Sequence, residues 1–193
     1  MNYEVVQSTP FSSTSRNVFK FNGSGYSNDY LKSPVSNLPL GDSPRTIMGW
    51  IRVDATSVSG WAAPFAYGGS GTRNSLNFSV VAGTPTGTNI DVYGSEETNN
   101  GIIESDIGPF GVWKHYAITY ENISGGRNLL AYVNGILTYT GTLPNGPLST
   151  TNTDFFIGAR SGGADRLYAA VAEVAVINRA LTETEIKAVV SGK

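Results

Sequence analysis

The sequence contains no cysteine and only one histidine, His115, among its 193 residues. Without cysteine, neither a disulfide framework nor a thiolate metal site can form, and cysteine usage gives no information on the redox compartment. A single histidine excludes a zinc site built from several histidines. Any His-based catalytic triad would have to include His115, and no nucleophile-elbow motif accompanies it. We therefore expect His115, between Trp113 and Ala117 on one strand face, to be a packed structural residue.

Charge is also scarce. Charged residues make up 15% of the sequence and the net charge is −2, so the chain lacks the basic field that binds a phosphate backbone. No segment approaches the roughly 20 apolar residues of a membrane span, and residues 1–10 lack the basic and apolar regions of a signal peptide. We expect no nucleic-acid binding and no membrane insertion. The chain is either not secreted by that route or a domain of a longer protein.

Turn formers and strand formers are abundant, with 23 glycines and 11% aromatic residues. Such a composition is typical of many short strands, and the length suits one large β-sandwich. Short apolar or alternating runs recur between turn signals at 18–21, 46–53, 61–67, 75–81, 90–93, 113–120, 129–133, 136–140, 155–157 and 167–177. This spacing predicts an all-β sandwich or barrel over residues 16–193. The polar segment 1–15 is predicted to be an N-terminal arm, ordered only if it pairs with a sheet edge.

Two local features are well specified. Asn134-Gly135 predicts a type I′ hairpin, because both residues tolerate positive φ and apolar runs flank them. Near the C-terminus, Thr182 and Glu185 have capping-box spacing, and the apolar residues that follow share one face before Gly192. The sequence therefore predicts one short C-terminal helix that packs against the sandwich.

Six segments occur in an order that resembles a known family. They are Phe19-Lys20-Phe21-Asn22-Gly23 with Asp29-Tyr30-Leu31, Thr46-Ile47-Met48-Gly49-Trp50-Ile51, Trp113-Lys114-His115-Tyr116-Ala117-Ile118-Thr119-Tyr120, Tyr132-Val133-Asn134-Gly135, Phe156-Ile157-Gly158 and the stretch 171–186. The chain resembles the laminin G-like or concanavalin A-like lectin and glucanase superfamily, in the form found in bacterial surface and phage structural proteins. The resemblance implies a two-sheet antiparallel jelly roll, with members that mostly bind glycans or proteins.

Many relatives of that family hold a structural Ca²⁺, whose ligands are hard oxygen atoms. The residues at the matching motif positions are Asn22, Asp29 and Glu173. The family usually carries an acidic pair in the closing strand, whereas here the first position is Ala172, which removes one carboxylate. The alternative is that Asp29 caps a turn and Glu173 is a solvated strand residue.

Sugar binding needs aromatic faces together with planar amides, carboxylates or guanidinium groups. Residues of these types stand in or beside predicted turns and are the candidate ligand contacts: Tyr26, Trp61, Tyr67, Arg73, Asn74, Tyr93, Arg160, Arg166 and Tyr168. The alternative for Trp61 and Tyr67 is simple strand packing. Trp50 and Trp113 stand in strongly apolar strands and are assigned to the core.

Three functions are compatible with these features. The favoured interpretation is a non-catalytic module that recognises a glycan or cell-surface polysaccharide, displayed extracellularly on a bacterial surface protein or a virus or phage particle. The second is a structural or protein-binding domain of a virion or adhesin, with other protein chains as partners. The third is a glycoside hydrolase, which requires two facing carboxylates. Glu104 and Asp106 are the nearest pair, but Pro109 argues against a central strand there and a third expected carboxylate is absent.

Overall fold

The computed structural model describes residues 2–6, 16–22, 29–34, 37–54, 60–69, 75–84, 87–93, 101–102, 111–123, 126–142, 147–151, 154–160, 163 and 168–192. These residues form strands β1 (Asn2–Val6), β2 (Arg16–Asn22), β3 (Leu31–Pro34), β4 (Arg45–Val53), β5 (Gly60–Gly68), β6 (Ser75–Thr84), β7 (Gly87–Tyr93), β8 (Gly101–Ile102), β9 (Trp113–Ile123), β10 (Gly126–Val133), β11 (Ile136–Thr142), β12 (Asp154–Ile157) and β13 (Tyr168–Ile177), followed by helix α1 (Glu183–Val190). All ten predicted runs are strands. The prediction missed β3 and β8, and β1 lies within the predicted arm.

The strands form two antiparallel sheets. The seven-stranded sheet has the order β1-β2-β13-β4-β9-β10-β11, and the six-stranded sheet has the order β3-β12-β5-β6-β7-β8. Strand β1 adds an antiparallel strand to the edge formed by β2, with Asn2 opposite Lys20 and Val6 opposite Arg16. The described part of the arm is therefore paired to a sheet edge of its own chain.

The main core lies between the two sheets. Side chains alternate along a strand, so Ile47, Ile51 and Val53 of β4 face this core together with Phe65 and Leu76 of the six-stranded sheet. The intervening residues of β4 point to the opposite face of the seven-stranded sheet. The fold is thus the predicted two-sheet sandwich with a single main core.

The outer face of the seven-stranded sheet is also apolar. Trp50 and Trp113, which the sequence assigns to the core, are buried here at 5% and 8% exposure. Farther along the same face, Met48, Ala117 and Tyr132 pack with Leu181 and Ile186, which approach from the C-terminal helix segment. Helix α1 therefore covers part of this face, as the amphipathic pattern predicts.

The helix begins as its sequence predicts. The Thr182 hydroxyl accepts a hydrogen bond from Glu185 N, and the Glu185 carboxylate accepts one from Thr182 N, so both halves of the capping box are formed. A hydrogen bond from Arg179, followed by those from Thr182, lowers the pKa of Glu185 to about 2. The ionised carboxylate thus holds the helix start in place. Among the described residues, no helix has the length and apolar character needed to cross a membrane.

The predicted Asn-Gly hairpin is confirmed and is anchored on two sides. Asn134 and Gly135 have φ values of 50° and 79°, as a type I′ turn requires. Asn134 Oδ1 accepts a hydrogen bond from His115 N at 2.9 Å, and Asn134 N donates to His115 O at 2.8 Å. A Cβ atom on Gly135 would lie 3.0 Å from Lys187 Cγ. The turn is therefore fixed against both β9 and α1.

Glu173 stands in a bulge in the middle of β13. Ala172 pairs with Trp50 and Ala175 pairs with Met48, so Glu173 and Val174 are both opposite Gly49. Glu173 has a φ of 51° and is exposed. A left-handed backbone is unfavourable for glutamate, and a bulge changes the direction in which its side chain leaves the strand.

Candidate functional site

The two sheets are tied together at one end of the sandwich, which we call the Asn22 end. Here β2 and β4 finish, while β3, β5, β9 and β13 start. Asp29, which leads into β3 of the six-stranded sheet, accepts hydrogen bonds from Asn22 of the seven-stranded sheet. Within the six-stranded sheet, the Gly158 N–H directly after β12 donates to Pro64 O at 2.9 Å. Because neighbouring strands run in opposite directions, residues that are far apart in sequence lie close together at this end.

Asn22 and Asp29 form the polar centre of the Asn22 end. Asp29 is only 3% exposed. Its Oδ2 accepts hydrogen bonds from Asn22 N at 2.5 Å and from Asn22 Nδ2 at 3.1 Å. A buried carboxylate costs free energy unless donors surround it, and the Asn22 backbone and amide supply two of them. The pair links the last residue of β2 to the segment that enters β3.

Gly158 allows the two sheets to approach each other at this end. Its φ is 85°, and a Cβ atom here would lie 2.6 Å from two atoms of the buried Phe21 ring. Phe21 belongs to β2, whereas Gly158 follows β12. Only glycine combines this backbone conformation with such a close contact. Arg160 lies two residues farther along the chain, and its carbonyl accepts a hydrogen bond from Gly163 N at 2.9 Å.

Tyr30 was not among the sequence-predicted ligand contacts, although it stands in the quoted family motif. Its half-buried ring lies against Phe156, with 5.8 Å between ring centroids and a tilt of 46°. Gly163 also lies against the Tyr30 ring and leaves room for it, since a Cβ atom on Gly163 would lie 2.9 Å from Tyr30 Cε1. The signal that could have identified Tyr30 is its position beside Asp29, at the point where β3 begins.

The remaining side chains of the Asn22 end are largely paired with each other. Tyr168 pairs with Asn22 across β13 and β2, and its carbonyl accepts from Asp54 N at 3.3 Å. Asp54 forms an ion pair with Arg52 at 2.7 Å. The Arg52 guanidinium lies 5.3 Å from the centroid of the Trp113 ring. Both charges of that pair are thus compensated locally.

The opposite end, which we call the Arg45 end, is held by a buried guanidinium. Arg45 is 0% exposed and donates to Ser43 O at 2.9 Å, Gly41 O at 2.7 Å and Thr150 Oγ1 at 2.9 Å. It also lies 5.7 Å from the centroid of the Tyr120 ring. The Tyr120 hydroxyl donates to Asp42. This network joins two loop segments to the starting residue of β4.

The predicted ligand contacts divide between the two ends. Arg160 and Tyr168 are at the Asn22 end, and the backbone of Trp61 is near it, at the start of β5. The backbones of Tyr67 and Tyr93 lie toward the Arg45 end, since Tyr67 pairs with Leu76 and Tyr93 with Asn77. The antiparallel strands separate these residues, so the structure does not bring them into one site. Four predicted contacts lie outside the described residues: Tyr26, Arg73, Asn74 and Arg166.

The three predicted calcium ligands are not adjacent. Asn22 and Asp29 contact each other, but Glu173 follows the Asn22 partner Tyr168 by five strand positions. At about 3.3 Å per residue, Glu173 therefore lies roughly 16 Å from Asn22 along the strand direction. Calcium takes about six to eight oxygen ligands, and the described residues contain no group of three or more His, Cys, Asp or Glu side chains that could hold a metal. These residues alone do not make up a calcium site, and calcium stays a prediction.

His115 is buried on the outer face of the seven-stranded sheet. It is 1% exposed, and its ring meets Trp50 edge-on at 5.3 Å between centroids. Within the described residues, its Nδ1 has no hydrogen-bond partner. Burial lowers the pKa of His115 to about 4. A buried, neutral ring packed against Trp50 agrees with the packed structural residue that the sequence predicts.

Burial of His115 makes the stability of the fold depend on pH. Its pKa is lowered from 6.5 to about 4, so the unfolded chain takes up the proton first. Stability is fully present above pH 6.5 and falls as the pH drops toward 4, by about 3 kcal/mol in all. Chemical unfolding of wild type and His115→Gln at several pH values measures how the free energy of unfolding depends on pH. We expect the variant to lose clearly less stability over that interval, and equal losses would contradict the account.

The family comparison covers most of the chain. The sequence model of the laminin G-like family, described as concanavalin A-like lectin/glucanases superfamily, matches residues 23–187. A comparison with curated protein sequences gives no match. The matched segment includes Asp29, Tyr30, Arg160 and Tyr168 and ends within α1.

Solved structures share the fold at low sequence identity. A heptameric SAP-like pentraxin from Limulus polyphemus has a TM-score of 0.70 at 18% identity, covering 90% of this chain and 81% of that one. Domain 4 of a GH43 extracellular arabinanase from Geobacillus stearothermophilus, in complex with arabinotriose, has a TM-score of 0.66 at 17% identity, covering 97% and 80%. The botulinum neurotoxin serotype G binding domain has a TM-score of 0.66 at 15% identity, covering 98% of this chain but 46% of that one. These similarities establish the fold and not a ligand.

Proposed function

This chain belongs to the laminin G-like family of the concanavalin A-like lectin/glucanases superfamily, and from that premise we propose that it is a non-catalytic recognition module for carbohydrate. The proposed setting is extracellular, on a bacterial surface protein or on a virus or phage particle. Its ligand would be a glycan or a cell-surface polysaccharide. The module would bind by contact alone and leave the glycan intact.

The observation that carries this proposal is the composition of the Asn22 end. Tyr30 follows Asp29 in the chain, Tyr168 pairs with Asn22, and Arg160 lies three residues after the end of β12; all three side chains are half-buried. Aromatic rings suit the apolar face of a sugar, and amide and guanidinium groups suit its hydroxyls. Rigid strand ends and Gly158 hold these groups in position before any ligand arrives, which reduces the entropy lost on binding.

Two similar structures support a binding role. The arabinanase domain was solved in complex with arabinotriose, and the toxin domain is called a binding domain. The absence of catalysis is supported by the carboxylates described at the Asn22 end. Asp29 accepts a hydrogen bond from Asn22 N, and Asp54 forms an ion pair with Arg52. Neither carboxylate therefore resembles the facing acid and nucleophile of a glycosidase. The alternative pair, Glu104 and Asp106, lies outside the described residues.

A structural or protein-binding role in a virion or adhesin is the second candidate. It is favoured by exposed apolar side chains on edge strand β11, where Ile136 is 63% and Leu137 is 39% exposed. Apolar residues on an open edge are suited to contact with another chain. The two candidates use different surfaces, so a single domain could perform both.

A glycan-array screen of the whole chain tests the leading proposal. We expect binding to at least one class of glycan, with no products of cleavage after prolonged incubation with the bound sugar. An array with no bound glycan would overturn the carbohydrate assignment, and released oligosaccharides would overturn the non-catalytic assignment.

A thermal melt with calcium and with chelator tests the calcium prediction, because an ion bound only by the folded state raises the melting temperature. Identical melts would remove the calcium prediction.

A further inference from the structure

The Tyr30 ring contacts two residues that lie far from it in sequence. Tyr30 directly precedes edge strand β3, and its ring meets the buried Phe156 of the neighbouring strand β12. The part of the ring nearest Gly163 is its hydroxyl-bearing side, since a Cβ atom on Gly163 would lie 3.1 Å from Cζ and 3.2 Å from the hydroxyl oxygen. The ring therefore links β12 to the backbone of Gly163.

Gly163 in turn is bonded to Arg160. Its N–H donates to Arg160 O at 2.9 Å, which we call the Gly163–Arg160 hydrogen bond. Gly163 is buried and has a φ of 79°, a conformation that glycine adopts without strain. Ala159, directly before Arg160, is fully buried as well. The Arg160 backbone is thus held on both sides, and Tyr30 reaches it through one intervening residue.

A held backbone matters more for arginine than for a shorter side chain. Arginine binds oxygen atoms through a planar fork of N–H groups, so its orientation decides how many hydrogen bonds it makes. Its long side chain also loses much rotamer freedom when a ligand fixes it. A backbone that is already in place reduces the entropy lost on binding.

We propose that Tyr30 is a positioning residue of the candidate glycan site, whose ring holds the Gly163–Arg160 hydrogen bond and so presents the Arg160 guanidinium to the sugar. The inference rests on the proposed function, because Arg160 is the residue that would contact the ligand. The alternative is that the Tyr30 ring stacks on the sugar itself, as aromatic rings in sugar sites can. In that case its contribution would not depend on Arg160.

Amide hydrogen exchange, followed by NMR on the ligand-free chain, tests the structural step. Tyr30→Ala removes the ring and should speed exchange of the Gly163 amide at least about tenfold. The Gly158 amide, which donates to Pro64 O at 2.9 Å, is the internal control and should exchange as in wild type. Unchanged exchange at Gly163, or equal acceleration at both amides, would overturn the proposal.

A double-mutant cycle, measured by calorimetry with a glycan that the array identifies, tests the binding step. Tyr30→Ala should weaken binding at least about tenfold in the wild-type background, but no more than about twofold when Arg160→Gln is already present. Tyr30→Phe keeps the ring and should recover most of the lost affinity. A tenfold loss in both backgrounds would mean that Tyr30 does not act through Arg160.

Tyr139→Ala is the matched control for removing a tyrosine ring. Tyr139 is also half-buried against a glycine, Gly141, but it belongs to β11, five strands or about 24 Å from β2. This variant should bind the glycan as wild type does, and a tenfold loss would overturn the proposal. A wild type that binds no glycan would remove the proposed function, whereas unchanged Gly163 exchange in Tyr30→Ala would remove the role of Tyr30 alone.

Discussion

Replacing Gly158 with alanine is expected to lower the free energy of unfolding by about 3 kcal/mol or more. The added Cβ atom would lie 2.6 Å from Phe21 ring atoms, and alanine would have to adopt a φ of 85°. Phe21 is fully buried in the main core, so its ring cannot move aside without disturbing the packing between the sheets. Urea unfolding of wild type and Gly158→Ala measures the difference.

Gly111→Ala is the matched control. Gly111 has a φ of 78°, and nothing lies within 4 Å of the position that an added Cβ atom would take. This variant therefore has the backbone strain without the steric clash, and we expect a loss of about 1 kcal/mol. If the two variants were equally stable, the close approach of Gly158 to Phe21 would not be what holds the sheets together at the Asn22 end.

Replacing Arg45 with methionine is expected to cost about 3 kcal/mol. The guanidinium is fully buried and donates to Ser43 O, Gly41 O and Thr150 Oγ1. Methionine fills a similar volume but donates nothing, so these buried acceptors lose their donor. Arg45→Lys should recover only part of the loss, because one ammonium group cannot reproduce the planar fork. Equilibrium unfolding of both variants checks this order.

Lys32→Met provides the control for removing a positive charge at the surface. Lys32 pairs with Asp154 at 3.2 Å, but its side chain is 58% exposed. Exposed ion pairs contribute little, so we expect a change within about 1 kcal/mol. A loss for Arg45→Met no larger than that for Lys32→Met would show that the buried network at the Arg45 end does not stabilise the fold.

Local signals in the sequence were sufficient for most of the fold. The ten predicted runs became strands because alternating or continuous apolar residues must be buried on one or both faces of a sheet. Asn134-Gly135 and the Thr182–Glu185 capping box were predictable because each depends on neighbouring residues alone. The missed strands lack such signals. Strand β3 (Leu31–Pro34) ends in proline and has no buried residue, and β8 has two residues.

The candidate site was predicted less completely, because it depends on contacts between distant segments. The motif placed Asn22 and Asp29 together correctly, whereas Glu173 lies well along β13 from them. Tyr67 and Tyr93 were grouped with Arg160 because all stand near turns, but a turn position does not say which end of the sandwich it occupies. Arg45 gave no signal in its sequence context, since its role depends on Thr150, which is distant in the chain.

The measurement that tests the central claim most directly is the affinity of array-identified glycans for three proteins, by isothermal titration calorimetry. These are wild type, Arg160→Gln at the Asn22 end, and Asp154→Asn on the first residue of β12, three strand positions from Ile157. If the Asn22 end binds sugar, Arg160→Gln should weaken binding at least about tenfold and Asp154→Asn should leave it unchanged. Full affinity in Arg160→Gln with loss in Asp154→Asn would contradict the account and place recognition elsewhere on the sandwich.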